Sequence, residues 1–170
     1  MTTYLVKQLR FARSELLRGL DGVSNEEGLQ RIGQMNSIGW IVGHLANQEH
    51  FLWVQSAQEK NLYPDLRGLV GHGQPASIPP LDEMWDVWQK VTKCADEYLD
   101  TLTEGMMVEF LLFNGKTFRE NIGTSLLRNT YHIWFHLGEA HAIRQQLGHQ
   151  PPDFVGGFGE AVFKQRDLNT

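Results

Sequence analysis

One cysteine, Cys94, stands in 170 residues, so no disulfide can close within the chain. A cysteine-built zinc cluster is excluded on the same ground. Cys94 falls in a helical stretch beside apolar positions, where a buried, inert thiol is expected. No apolar run approaches the ~20 residues that a membrane-spanning helix needs. The first residues, Met1-Thr-Thr-Tyr-Leu-Val-Lys7, lack the basic-then-apolar order of a secretory signal, so a cytoplasmic protein is expected. Positive charge is short as well: 15 Lys and Arg against 20 Asp and Glu give a net charge of −5. The basic residues form no block, which argues against nucleic acid and acidic membrane surfaces as partners. Internal repeats and low-complexity segments are missing. So are the metal motifs Glu-x-x-His and His-Glu-x-x-His. Gly115-Lys116-Thr117 resembles the end of a phosphate loop, but position 110 is Phe110 where that loop requires glycine.

What remains is an ordinary globular composition, 41% hydrophobic and 21% charged, at a length that suits one domain spanning residues 1–170. Leu5, Leu9, Ala12, Leu16 and Leu20 recur at steps of three and four, predicting a helix from Thr3 to about Gly19. Residues 23–34 read as polar and irregular. Asn36 and Ser37 can cap a second helix from about Ile38 to Glu59, with His44, Gln48 and Phe51 on one face and Glu49 and His50 turned elsewhere. Gly68, Gly71, Gly73, Pro75, Pro79 and Pro80 mark a long connection, a crossover or a lid. His72 within it is read as exposed. A third helix follows Pro80, its apolar stripe running from Leu81 through Trp88 and Val91 to Leu102. Val108–Phe113, Asn114-Gly115 and Lys116–Phe118 spell a β-hairpin. A fourth helix runs from about Asn121 or Thr124 to Leu147, with Gly148 as its cap and Pro151-Pro152 ending it. His149, past the cap, is read as exposed, and a short last helix is expected from Glu160 to about Arg166. The fold class is all-α: a four-helix up-and-down bundle with a small hairpin before helix four.

Helix four carries the densest chemistry, in Arg128-Asn-Thr-Tyr-His132-Ile-Trp-Phe-His136-Leu-Gly-Glu139. At about 100° per residue, His136 lies about 40° from His132 and Glu139 about 20° to its other side, a single polar line. His141 falls on the opposite side and is no candidate ligand. Residues four apart stand about 5–6 Å from one another, within reach of one cation given Zn–N bonds of ~2.0–2.1 Å. A third ligand must come from another element. His44, inside Gly39-Trp-Ile-Val-Gly43-His44-Leu-Ala, is the candidate. Ile133, Trp134, Phe135, Val42 and Leu45 flank the histidines, and such surroundings point to an interior or cleft.

Asn36-Ser-Ile-Gly-Trp-Ile-Val-Gly-His44-Leu-Ala46, followed by His132-x-x-x-His136-x-Gly138-Glu139 and Arg144-Gln-Gln-Leu147-Gly148, resembles the DinB/YfiT-like metalloenzyme family over nearly the whole chain. The resemblance implies a four-helix bundle with a divalent metal held by His44, His132 and His136. It departs at Glu139, where that family often has glutamine. Imidazole ligation suits Zn, Ni or Fe without choosing among them. Family relatives include transferases and isomerases that use a low-molecular-weight thiol, so the resemblance implies a metal-dependent enzyme activating such a thiol for a small-molecule substrate. Gln48 and Glu139, each about a turn from a ligand, are the candidates for orienting an imidazole or moving a proton. Two other functions fit the same residues: a metal-hydroxide hydrolase with Glu139 as base, and a non-catalytic, stress-related metal-binding bundle. Five tryptophans and nine phenylalanines leave apolar surface for a homodimer, which the resemblance also supports.

Overall fold

The computed structural model describes residues 2–150 and 152–164. Among these, four long helices form the bundle: α1 (Tyr4–Leu20), α3 (Ile38–Glu49), α5 (Leu81–Leu99) and α6 (Ile122–Gln146). Helix α3 packs on α5 and α1 on α6, and α3 meets α6 across the middle. Each apolar stripe read from the sequence faces this interior: Leu9 and Leu16 from α1, Ile41 and Leu45 from α3, Val91 and Leu99 from α5, Ile133 and Ile143 from α6. Thr3, Ser37 and Asn121 cap α1, α3 and α6, each accepting a first-turn backbone N–H that would otherwise lack a partner.

The region expected to be irregular holds a one-turn helix, α2 (Asn25–Gly28), closed by a reciprocal Ser24–Glu27 capping box. Glu27 also accepts from His149, at 2.7 Å between Oε1 and Nε2. That contact corrects the expectation of an exposed His149: the residue is half-buried where the end of α6 meets α2. The Ser24 backbone N–H, and then His149, draw the Glu27 pKa down to about 2.

The second expected helix is two elements. Helix α3 ends at Glu49 and the chain continues as a π-helix, His50–Ser56. His50, Trp53 and Val54 are buried within it. The long connection contains one short helix, α4 (Leu66–Val70), and the N–H of Leu62 donates to His50 Nε2 at 3.0 Å, tying the connection to the π-helix.

A 3₁₀ turn (Glu104–Val108) leads into the hairpin, β1 (Phe110–Phe113) and β2 (Lys116–Asn121). Phe113 pairs with Lys116 across Asn114-Gly115, both at positive φ, as the sequence requires of that turn. Gly148, at φ 88°, closes α6. Beyond it the chain returns over α1, where Phe158 stacks on Phe11 at 4.9 Å and Gln8 donates to the Ala161 carbonyl. The expected last helix is a single 3₁₀ turn, Gly159–Ala161; Val162–Lys164 are not helical, and Gln165 and Arg166 lie outside the described residues, as does Pro151. Cys94 is half-buried rather than sealed in, with Lys60 Nζ 3.9 Å from its sulfur.

Candidate metal centre

Helices α3 and α6 bring three sequence-distant imidazoles together. His44 comes from the middle of α3, and His132 and His136 come from successive turns of α6. One ring nitrogen from each lies within 4.8 Å of the others. Ring centroids are 4.6 to 5.0 Å apart, and the three planes stand at 73° to 77° to one another. His44 and His136 are buried; His132 is half-buried at the cavity wall.

The other nitrogen of each ring, Nδ1, is held at 2.8 Å by an oxygen. For His44 it is the Val70 carbonyl, for His132 the Gln48 side-chain oxygen, and for His136 the Glu139 carboxylate. A carbonyl or carboxylate only accepts, so Nδ1 of His44 and His136 carries the proton. For His132 the assignment runs back through a buried chain. The Trp53 indole can only donate, and it donates to Asn129 Oδ1 at 2.7 Å. Asn129 therefore turns its NH2 to Gln48 Oε1, at 3.1 Å, and that same oxygen accepts from His132 Nδ1. Trp53 and Asn129 are fully buried, so no water competes for these groups.

With every Nδ1 protonated, the three Nε2 atoms are lone pairs aimed at one another. His44 Nε2 and His132 Nε2 are 3.2 Å apart with no proton left to place between them in the neutral rings. Protonation is no remedy, because burial lowers all three pKa values and carries that of His132 to about 3. Three neutral nitrogen donors converging on one point is the donor set a divalent transition metal takes, and three ligands leave coordination positions open. The residues present fit such an ion.

The surroundings hold the rings still. Trp40 stacks on His44, centroids 4.4 Å apart at 12°, and Phe135 stands edge-on to His136 at 5.0 Å. The second Glu139 oxygen accepts from Asn36 Nδ2 at 3.0 Å, which ties the α6 carboxylate to the residue just before the α3 cap. A cavity of about 630 Å³ opens over His44 and His132, lined also by Gln48, Phe51 and Phe113. His72 is exposed, as expected, and sits on the cavity wall. His141 faces away toward Gly19, as its wheel position requires.

A sequence model of the DinB superfamily matches residues 8–140. The chain belongs to the DinB superfamily. That match takes in α1 through all three histidines and Glu139, so the DinB-like bundle and the histidine cluster lie within one family frame. Comparison with curated proteins gives no match.

The sequence assembled the histidines, Gln48 and Glu139 on the correct elements. It missed Val70, Asn129, Trp53 and Asn36. A carbonyl partner such as that of Val70 leaves no side-chain signal. Asn129, by contrast, was open to recognition: it lies one residue beyond Arg128 in the histidine stretch and about one turn before His132.

Proposed function

We propose that this DinB-superfamily chain is a divalent-metal-dependent enzyme in which His44, His132 and His136 are the ligands and a low-molecular-weight thiol is activated for transfer or isomerisation. The observation that carries the reading is the convergence of three Nε2 lone pairs whose Nδ1 protons are all committed elsewhere. A dication bound there supplies a positive centre that lowers the pKa of a thiol or water coordinated to it. Gln48 and Glu139 act through the ligands as positioning residues: each fixes a ring's tautomer and orientation by accepting its Nδ1 proton. Trp40 covers the His44 ring and limits its movement. Phe51 and Phe113, edge-to-face at 5.2 Å, form an apolar wall that favours sulfur and carbon over water in the cavity.

A hydrolase with Glu139 as its base requires that carboxylate to be free to take a proton from water. Both Glu139 oxygens are occupied, by His136 and Asn36, and among the described residues no Asp or Glu lines the cavity. Thiol activation needs no such base, because a metal-lowered pKa releases the S–H proton near neutral pH.

The test is to titrate the cobalt-loaded protein with small thiols and then supply electrophilic acceptors. Thiol binding should change the cobalt absorption bands, and transfer should follow only with metal and all three histidines present. Cleavage of test esters without thiol, at rates that thiols leave unchanged, would contradict the proposal and favour hydrolysis.

A further inference from the structure

The cavity above the histidines is uneven in charge. It holds about 630 Å³, within the range of small-molecule sites. Among the described residues no Asp or Glu lines it, whereas Arg67 does. Arg10, Arg13, Arg18 and Arg128 are each paired with a carboxylate. Arg67 has no side-chain hydrogen bond or ion pair among the described residues.

The backbone sets where its stem lies. Arg67 lies on α4, and its carbonyl accepts from Gly71 N–H at 2.8 Å as the helix closes. A Cβ at Gly71 would stand 2.3 Å from that carbonyl oxygen and 3.0 Å from Arg67 Cγ, so the glycine lets the arginine stem lie against the chain at the cavity edge. Asn47, Gln55 and Tyr63 add neutral hydrogen-bonding groups, while Phe51 and Phe113 add an apolar wall.

We propose that the cavity takes a carboxylate-bearing small molecule, its carboxylate bound by Arg67 and its reacting end at the three histidines. An unpaired guanidinium beside a low-dielectric wall draws anions, and its planar fork fits a carboxylate with two parallel hydrogen bonds. Away from the three histidines, one permanent cation with neutral amides balances a single negative charge, the charge of a carboxylate rather than of a phosphate dianion. The inference rests on the proposed function for the sulfur end of the ligand; the carboxylate end rests on Arg67 and the cavity wall.

The test is calorimetric titration of the zinc-loaded protein with ω-mercaptocarboxylic acids of increasing length, the matching mercaptoalcohols and the matching sulfur-free acids. The native protein should bind the best mercapto acid at least about tenfold more tightly than its alcohol, as a charged hydrogen-bonded pair provides. In Arg67→Gln that preference should fall below about twofold, and Arg67→Lys should keep part of it, because the charge survives without the fork. Matching melting curves would establish that these exposed substitutions leave the fold intact. An undiminished preference in Arg67→Gln would overturn the inference, since the carboxylate would then be bound elsewhere. So would a native protein that binds none of the probes. If the sulfur-free acids bind as tightly as the mercapto acids and weaken equally in Arg67→Gln, the carboxylate site stands and the thiol reading fails.

Discussion

Three hydrogen bonds separate the Trp53 indole from His132, yet that N–H sets which nitrogen of His132 carries the proton. Trp53→Phe keeps most of the ring's bulk and removes only the donor, so Asn129 and Gln48 lose the reason for their present orientation. The expected outcome is metal binding weakened severalfold. Gln48→Met, which strips His132 of its partner outright, should cost about 10–100-fold. Competition against a chromophoric chelator measures both, and nitrogen NMR of the metal-free protein reads the His132 tautomer directly. A purely structural role for Trp53 would leave that tautomer unchanged. Acid acts on the same residues with a definite sign. Burial lowers the folded-state pKa values of His44, His50, His132, His136 and His141. Below about pH 6.5, the ordinary histidine value, the unfolded chain takes up protons that the folded metal-free chain refuses. Stability should therefore be fully present above that pH and decline as pH falls, for His132 down to about 3. Urea melts of chelator-treated protein at neutral pH and at pH ~5 check this; a higher midpoint at the acid pH would contradict it.

At the scale of elements, the sequence was legible wherever one local rule acted alone. The α5 stripe, the Asn114-Gly115 hairpin and the cap at Ser37 all follow from spacing and residue type. The π-helix after Glu49 was not legible, because widening a turn is decided by which side chains the neighbouring helices admit. Helix α2 had a signal that went unread, the Ser24-x-x-Glu27 capping box. The link holding α1 to α3 was equally invisible: buried Arg13 grips Glu49 through two nitrogens and reaches Asp96 of α5 at 2.8 Å. A wheel can say that Glu49 points away from His44 but cannot name the arginine on another helix that meets it. Breaking this pair leaves buried Arg13 with Asp96 as its one carboxylate, so Glu49→Ala should cost about 3 kcal/mol in a denaturant melt. Changing both partners, Arg13→Met with Glu49→Leu, should recover much of that loss. If the single variant is as stable as the native protein, the pair does not hold these helices together.

Across the whole molecule, the apolar interior and the histidine cluster are separate sources of order. The core residues of α1, α3, α5 and α6 pack on one another, and the histidines gather where α3 and α6 come together. Chelation should thus leave a helical protein that still melts cooperatively, while added metal raises the melting temperature in proportion to the logarithm of its concentration over Kd. A structural metal would behave otherwise, and removing it would unfold the chain. Circular dichroism with and without chelator distinguishes the two. The chemistry of the site depends on His44, His132 and His136 holding one divalent ion. That binding is tested most directly by elemental analysis of protein purified without a metal-affinity tag, beside a His132→Ala/His136→Ala variant of matched fold. Near one equivalent of zinc, nickel or iron is expected in the native protein and almost none in the variant. A folded native protein that stays empty after incubation with all three metals, or a variant that retains its metal, would contradict it.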